Sequence, residues 1–168
     1  MKVKHLENLC FSIDECIVGA QAIAYGITKS ITIDYLNIRL NRIGDDGGRA
    51  ICLALSINQS LREVNLSSNN LSEQTGTKLA EILRQNETLI KIDVSANRLG
   101  GDSGKSLQEN LQENNTLLYL DLRMTECGPE SEYIINQKLK SNREQDRLRR
   151  ISQKQSPDDK KRTYSHLF

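Results

Sequence analysis

The sequence repeats one pattern at a nearly constant interval. The stretch LREVNLSSNNL, residues 61–71, is followed 28 residues later by LIKIDVSANRL and 28 residues after that by LLYLDLRMTEC. Upstream, the stretch IDYLNIRLNRI begins at Ile33 and LENLCFSIDEC begins at Leu6. Five in-phase copies indicate a repeat architecture, in which each unit buries its apolar face against its neighbours.

Each copy alternates apolar and polar residues before a turn. In the copy that begins at Leu61, Val64 and Leu66 are apolar, whereas Glu63 and Asn65 are polar. Successive side chains of a strand point to opposite faces, so this alternation predicts a short strand with one buried face.

An asparagine follows most of the predicted strands, at the point where the chain turns. Backbone N–H and C=O groups that turn inward need partners, and an asparagine side chain supplies both donors and an acceptor. We therefore interpret this column as structural, with stacked side chains bracing the turns of adjacent repeats. Its members are Asp14, Asn41, Asn69, Asn97 and Thr125. The two ends depart from asparagine, as expected where a neighbouring repeat is missing.

The second half of each copy has a helical period. Ile51 and Leu55 lie four residues apart, and Leu79 and Leu83 repeat the spacing, which predicts a helix with one buried face. A glycine column near the predicted helix starts would allow close backbone approach: Gly48, Gly76 and Gly104. An asparagine column at the helix ends predicts the left-handed conformation that often terminates a helix: Asn58, Asn86, Asn114 and Asn142.

The shared pattern, L-x-x-L-x-L-x-x-N-x-L, resembles the leucine-rich repeat, and its long period is similar to the ribonuclease-inhibitor type. The resemblance covers roughly residues 6–142 and implies an α/β solenoid with parallel strands. Strands stack about 4.8 Å apart, whereas packed helices need about 8 to 10 Å. The stack must therefore curve into a short right-handed horseshoe arc, with strands on the concave face and helices on the convex face. We predict one domain, residues 1–142, of five repeats that start near residues 6, 33, 61, 89 and 117.

Residues 143–168 differ from the repeats in charge. They carry eight Lys or Arg against four Asp or Glu, whereas residues 1–142 carry fifteen against eighteen. We predict a basic extension that is helical to about Gln155 and then disordered. A solvated tail is one interpretation, and docking onto an acidic surface such as tubulin is another. A nucleic-acid partner is not expected, because no stacking platform or binding motif accompanies the charge.

The start of the chain and its cysteines favour an intracellular protein without membrane contact. No stretch approaches the roughly 18 apolar residues of a membrane span, and MKVKHLENLC lacks the core of a signal peptide. Cys16 and Cys127 occupy the apolar position after the asparagine column, and Cys10 and Cys52 show no metal or redox spacing. We therefore predict no disulfide. The first copy begins so early that we expect a missing N-terminal part or a partner to cover it.

The sequence shows no catalytic motif. It contains no Walker loop, no G-x-S-x-G, no H-E-x-x-H and no Cys-x-x-Cys, and its two histidines lie at opposite ends. We expect a non-catalytic protein with no cofactor and no metal.

The outward-pointing strand positions form the predicted binding surface, because repeat arcs usually bind with their concave face. Tyr and Arg are frequent anchors of protein interfaces, so the area around Tyr119, Asp121 and Arg123 is the favoured contact site. Ordinary solvated strand residues are the alternative. The candidate positions are Tyr35, Asn37, Arg39, Glu63, Asn65, Lys91, Asp93, Tyr119, Asp121 and Arg123.

The terminal unit LLYLDLRMTECGPESEYIINQKLKSNRE, residues 117–144, resembles the closing repeat of the dynein regulatory complex subunit 5 family, also called T-complex-associated testis-expressed protein 1. That resemblance implies a structural component of the nexin-dynein regulatory complex, which links doublet microtubules in the axoneme of motile cilia and flagella and helps control dynein. The implied partners are other axonemal subunits, in the cytoplasm and cytoskeleton. The family also has an N-terminal region that this sequence lacks.

Two other functions remain open. A Ran GTPase-activating protein shares the repeat type but is a longer array. A tropomodulin-like actin-capping module shares the short arc and a basic extension after its last helix. A cytosolic adaptor with either kind of partner is therefore the alternative to an axonemal subunit.

Overall fold

The computed structural model describes the backbone of residues 13–154 and the side chains of residues 16–153. Helices and strands alternate along this part of the chain. In chain order the elements are α1 (Ile13–Lys29), β1 (Tyr35–Asn37), α2 (Gly44–Ile57), β2 (Glu63–Asn65), α3 (Glu73–Gln85), β3 (Lys91–Asp93), α4 (Gly100–Asn110), β4 (Tyr119–Asp121) and α5 (Pro129–Lys154).

The described strands form one parallel sheet in the order β1-β2-β3-β4. Leu36, Val64, Ile92 and Leu120 stand opposite one another in successive strands. Each residue therefore pairs with the residue 28 positions further on, so the sequence period is also the strand register. The predicted α/β architecture, with parallel strands lining one side and helices the other, is confirmed.

The core lies between the sheet and the helices and runs continuously from repeat to repeat. Val64 and Ile92 fill it from the strands, and Leu79 and Leu83 fill it from α3. The glycine column permits this close packing: a Cβ atom on Gly48 would lie 2.5 Å from Thr75 Oγ1 in the next repeat. The helices can therefore approach only because these positions carry no side chain.

The first copy of the pattern departs from the prediction. Asp14 lies inside α1, which begins at Ile13, so it is not a member of the turn-bracing column. Cys16 and Ala20 are buried four residues apart, as are Ala20 and Ala24, which is the period of a helix. The end of this copy, from Ile13 on, is therefore part of a helix. The predicted first strand lies outside the described residues.

The prediction of no disulfide is wrong at Cys16. Its sulfur is disulfide-bonded, and the partner cysteine lies outside the described residues. The expectation failed because it placed Cys16 after a turn, whereas Cys16 lies in the first turns of α1. Cys52 and Cys127 are buried free thiols, as expected of small core residues. Burial raises the pKa of Cys52 to about 12, so this thiol stays protonated at neutral pH.

The asparagines at the helix ends also behave differently from the prediction. Asn58 has φ −72° and ψ 135°, and Asn86 has φ −75° and ψ 122°, both of which are extended conformations. Their side chains act as a second ladder. Asn58 Nδ2 donates to Ile27 O at 2.8 Å in the preceding repeat, and Asn58 Oδ1 accepts from Leu61 N at 2.7 Å. Asparagine is used here for its paired donor and acceptor, not for its tolerance of positive φ.

The last helix begins at Pro129, as its fixed φ favours, and continues past Asn142 without a break to Lys154. Asn142 is its last buried residue. The final part of α5 therefore extends beyond the repeat core.

Candidate interaction surface

The turns that carry the strand ends are held by the asparagine column. Asn69 Nδ2 donates to Leu66 O at 3.0 Å in its own turn and to Ile38 O at 2.9 Å in the preceding repeat. Asn69 Oδ1 accepts from Asn41 N at 3.2 Å. Asn97 makes the same set of bonds one repeat later, and its Oδ1 accepts from Asn69 N at 2.9 Å. These bonds connect consecutive repeats through buried groups, where hydrogen bonds are costly to lose.

The same side chains hold an unusual backbone. Ser68 and Asn70, on either side of Asn69, have φ of 54° and 57°, in the left-handed region that L residues rarely occupy. Met124 and Glu126 flank Thr125 in the same way, with φ of 59° and 64°. The tight turn places the residue that precedes each member of the asparagine column at the edge of the strand face.

The row of strand-end residues that was predicted to face a partner also has a structural role. In four repeats a side-chain Oδ1 accepts a hydrogen bond from the backbone N two residues further on, at 2.9 to 3.1 Å. The four acceptors are Asn37, Asn65, Asp93 and Asp121. A short polar side chain is therefore required at this position by the turn itself.

One member of the predicted surface is wrong. Asn37 is buried, with 2% of its surface exposed, so it cannot contact a partner in this structure. The alternation of apolar and polar residues predicted that the Asn37 side chain points outward. Alternation does not determine how much of a strand residue is covered. Tyr35, Glu63 and Asn65 are half-buried, whereas Arg39 and Lys91 are exposed.

The C-terminal end of the strand face forms a cavity of about 520 Å³ between β3, β4 and the start of α5. Its polar lining residues are Lys91, Asp93, Tyr119, Asp121, Arg123, Glu132, Asn136 and Arg143. The structure thus brings Tyr119, Asp121 and Arg123 together at one concave site and adds residues of α5 to them.

Two charged side chains of this site, Asp121 and Arg123, are paired with each other. Arg123 Nη2 lies 2.5 Å from Asp121 Oδ2, and Arg123 Nε donates to both oxygens of the same carboxylate. These hydrogen bonds lower the pKa of Asp121 and raise the pKa of Arg123. The Arg123 side chain remains 82% exposed, so its guanidinium is oriented by Asp121 but open to solvent.

The last helix closes the edge of the sheet through a residue that the sequence interpretation missed. Arg143 Nη1 donates to Leu118 O at 2.6 Å, and the guanidinium lies 5.3 Å from the centre of the Tyr119 ring. Glu132 and Asn136 were also missed. The available signal was the absence of a helix terminator after Asn142, which keeps α5 helical past the end of β4.

The same repeat also exposes three large side chains. Tyr119 is 53% exposed, Met124 is 82% exposed and Tyr133 is 65% exposed. Tyr, Met and Arg are enriched in the cores of protein interfaces, so this end of the molecule has the composition of a binding surface.

In the part of the chain that the structure describes, no helix is both long enough and apolar enough to cross a bilayer. Within the same residues, no cluster of three or more His, Cys, Asp or Glu side chains could hold a metal ion.

Comparisons with known proteins agree with the repeat geometry. A family model described as a leucine-rich repeat matches residues 29–52 and 58–80. No curated protein matches the sequence. Among solved structures, Leiomodin-1 Actin-Binding Site 2 superposes with a TM-score of 0.79 at 20% identity, covering 90% of this chain and 86% of that one. The tropomodulin C-terminal domain of Caenorhabditis elegans superposes with a TM-score of 0.75 at 19% identity, covering 90% and 88%. Together with the parallel sheet and its 28-residue register, these matches show that the chain has the leucine-rich repeat fold.

Proposed function

We propose that this protein is a non-catalytic interaction module of the cytoskeleton, which binds a protein partner at the C-terminal end of its strand face. The observation that carries the proposal is the cavity between β4 and α5, which is lined by the exposed Tyr119 and Arg123 and is followed in the chain by the exposed Met124. An interface needs a few large anchors surrounded by polar groups, and this region offers both. Asp121 and Arg123 are already paired with each other, which suits recognition better than proton transfer.

Actin is the first candidate partner. The solved structure named Leiomodin-1 Actin-Binding Site 2 superposes over 90% of this chain. At 20% identity the similarity concerns the backbone, so the contact residues here would be this chain's own. A cytoplasmic, cytoskeletal location follows from this candidate.

An axonemal partner is the second candidate, and a separate observation favours it. Residues 117–144, the unit that resembles the dynein regulatory complex subunit 5 family, supply most of the cavity lining. With this second candidate partner, the protein is a subunit of the nexin-dynein regulatory complex of motile cilia or flagella. The exposed arginines of α5 beyond Asn142 would add a contact to the acidic surface of tubulin. They are Arg147, Arg149 and Arg150.

Sedimentation of the purified chain with actin filaments, and separately with salt-stripped axonemes, distinguishes the two candidates. We expect retention on one of them, and Arg123→Glu should weaken it by about tenfold, the effect of losing one interface anchor. Arg39→Glu is the matched control, because Arg39 is an exposed arginine of the same column three repeats away. It should change binding less than twofold.

Two outcomes would reject the proposal. Failure to sediment with either filament would remove the cytoskeletal assignment. Equal losses from Arg39→Glu and Arg123→Glu would remove the assignment of the site to the C-terminal end.

A further inference from the structure

The outer edge of β4 is the edge of the described sheet that a following repeat would cover. In the preceding repeat, Val94 N donates to Asp121 O at 3.1 Å and Ala96 N donates to Arg123 O at 2.9 Å. The corresponding donors of the last repeat are the N–H groups of Leu122 and Met124. Neither group has an acceptor among the residues that the structure describes. The last strand therefore leaves backbone donors open where the inner strands have them paired.

The cavity of about 520 Å³ lies at this edge. Its lining includes Tyr119 and Asp121 from the concave side of β4 and Leu120 from the core side. One cavity can meet both sides of a strand only where the sheet ends. Leu120 is half-buried. The residues in register with it in the other strands are buried: Leu36, Val64 and Ile92. The core is therefore incompletely covered beside the open donors.

Arg143 closes the start of the same edge. In the inner repeats the carbonyl group before a strand accepts from the next repeat, as Ile90 O accepts from Leu118 N at 2.8 Å and from Tyr119 N at 3.1 Å. The corresponding acceptor of the last repeat is Leu118 O, to which Arg143 Nη1 donates at 2.6 Å. The open part of the edge therefore begins at Leu120.

A further repeat does not fit at this edge, because the glycine column ends there. A Cβ atom on Gly76 would lie 2.3 Å from Ser103 Oγ of the next repeat, so glycine is required where helices pack this closely. Position 132 continues the series of Gly48, Gly76 and Gly104, and it is occupied by Glu132. A glutamate side chain obstructs the helix contact that glycine permits. The helix layer is therefore closed at α5, whereas the strand layer is open.

We infer that the open edge of β4 binds an extended segment of the partner protein as an additional strand. This binding mode deepens the proposed function and rests on it, because it concerns the same end of the molecule. The segment continues the contact that β3 makes with β4, runs parallel as the described strands do, and accepts from Leu122 N and Met124 N. Its apolar residues alternate with polar ones, so that one apolar side chain covers Leu120.

Glu132 gives the segment a charge requirement. In the inner repeats this position faces the last apolar residue of the following copy, since a Cβ atom on Gly48 would lie 2.9 Å from Leu71 Cδ2. Glu132 is half-buried, lines the cavity and forms no ion pair within the described part of the chain. A partly buried carboxylate favours a cation beside it. The segment therefore carries a Lys or Arg side chain just beyond its alternating residues.

Amide hydrogen exchange of the whole chain, followed by NMR, tests whether the edge is open. Leu122 N and Met124 N should exchange at least about a hundredfold faster than Val94 N and Ala96 N, because an unpaired amide exchanges without local opening. Slow exchange in a dilute monomer would show that another segment of the same chain covers the edge. Slow exchange only at high concentration would show that a second copy covers it. Either result would overturn the proposal.

A synthetic peptide tests the binding mode. The probe is residues 61–71 of this chain, which include β2, with capped ends and Leu71→Lys. It should bind the whole chain with a dissociation constant below about 1 mM and slow exchange at Leu122 N and Met124 N by at least about tenfold. The matched control is the same peptide N-methylated at Asn65, which loses one backbone donor and keeps every side chain. It should bind at least about tenfold more weakly.

The charge requirement is tested on the chain itself. Glu132→Gln should weaken binding of the lysine peptide by about threefold to tenfold and leave binding of the peptide with its own Leu71 unchanged. Glu130→Gln is the control, because Glu130 is an exposed acidic residue of the same helix turn outside the cavity lining. Equal effects of the two variants would overturn the role of Glu132.

The peptide and filament experiments fail separately. No peptide binding up to about 5 mM, or equal binding of the N-methylated peptide, would overturn the added strand even if the chain sediments with a filament. Peptide binding in a chain that sediments with neither filament would support the added strand and reject only the cytoskeletal assignment.

Discussion

The two ends of the array are closed in different ways. At the C-terminal end, Asn142 Nδ2 donates to Asn114 O and Leu117 O, and Arg143 donates to Leu118 O. Polar side chains of α5 therefore bind carbonyl groups of the segment that leads into β4. At the N-terminal end, α1 presents Val18 and Tyr25 instead. A solenoid can be ended by a polar cap or by contact with another molecule, and this chain shows one polar cap and one apolar face.

The largest expected difference between the ends concerns glycine. A Cβ atom on Gly104 would overlap Cys127 O, which is backbone and cannot rotate away. Gly104→Ala should therefore destabilise the fold by about 3 kcal/mol through overpacking. Gly26→Ala in α1 should stabilise it by about 0.5 to 1 kcal/mol, since alanine favours the helix and meets open space. Urea unfolding at low protein concentration measures both, and effects of the same sign would contradict the comparison.

A second difference is expected along the turn-bracing column. Asn69 bonds to two repeats, whereas Thr125 Oγ1 donates to Leu122 O in its own turn. We expect Asn69→Ala to cost about 3 kcal/mol and Thr125→Ala about 1 kcal/mol, in proportion to the buried groups left without partners. The urea midpoints of the two variants test this. An unchanged midpoint for Asn69→Ala would show that the column does not connect the repeats.

The polar cap itself can be tested through Arg143. Its hydrogen bond to Leu118 O and its contact with the Tyr119 ring should together be worth about 1 to 2 kcal/mol, so Arg143→Ala should lower stability by that amount. Tyr25→Ala removes only an exposed ring contact with Lys29 and should cost less than about 0.5 kcal/mol. Thermal unfolding of the two variants compares the ends directly. A greater loss from Tyr25→Ala would reverse the assignment of which end is capped.

The smallest effect is expected between the ends, where Asp45 of α2 binds the start of α3. Burial raises the pKa of Asp45, but hydrogen bonds from Ser72 and Thr75 outweigh this and lower it below its ordinary value. A lowered folded-state pKa adds stability above the unfolded pKa, and this stability is lost as pH falls through the folded value. Asp45→Asn should cost about 1 kcal/mol at pH 7, and the difference from the original chain should shrink below about pH 4.

The neighbouring Asp46→Asn is the control for that titration. Asp46 is exposed and forms an ion pair with Arg49, so its substitution should cost less than about 0.5 kcal/mol at pH 7. A pH-independent difference for Asp45→Asn would show that the carboxylate charge does not support the junction between α2 and α3.

The interior repeats were predictable residue by residue. Their strands occupy the positions that the alternation indicated, and Leu36, Val64 and Ile92 pair at the 28-residue spacing of the sequence. Each interior repeat packs against two repeats with nearly the same sequence pattern. The residues that surround it can therefore be inferred from the sequence. The helix-end asparagines show the limit of this reasoning. The sequence predicted the column but not its role. The backbone of Asn58 and Asn86 is extended, and their side chains form the hydrogen bonds.

The candidate site was predicted only in part. Tyr119, Asp121 and Arg123 could be placed on one strand face, since alternation fixes which side of a strand a residue occupies. Asn37 satisfied the same rule and is nevertheless buried. Arg143 belongs to the site only because α5 returns over the edge of β4, a long-range contact that no local pattern encodes.

The sequence by itself determined the period, the strand register and the asparagine column, because these depend on local geometry and on identical nearest neighbours. The tertiary structure alone decided what happens where a neighbour is missing. It placed Asp14 in a helix, bound Arg143 to the carbonyl group that precedes β4, and left Tyr25 exposed. Burial at an end depends on which element packs there, and that choice is made by the whole chain.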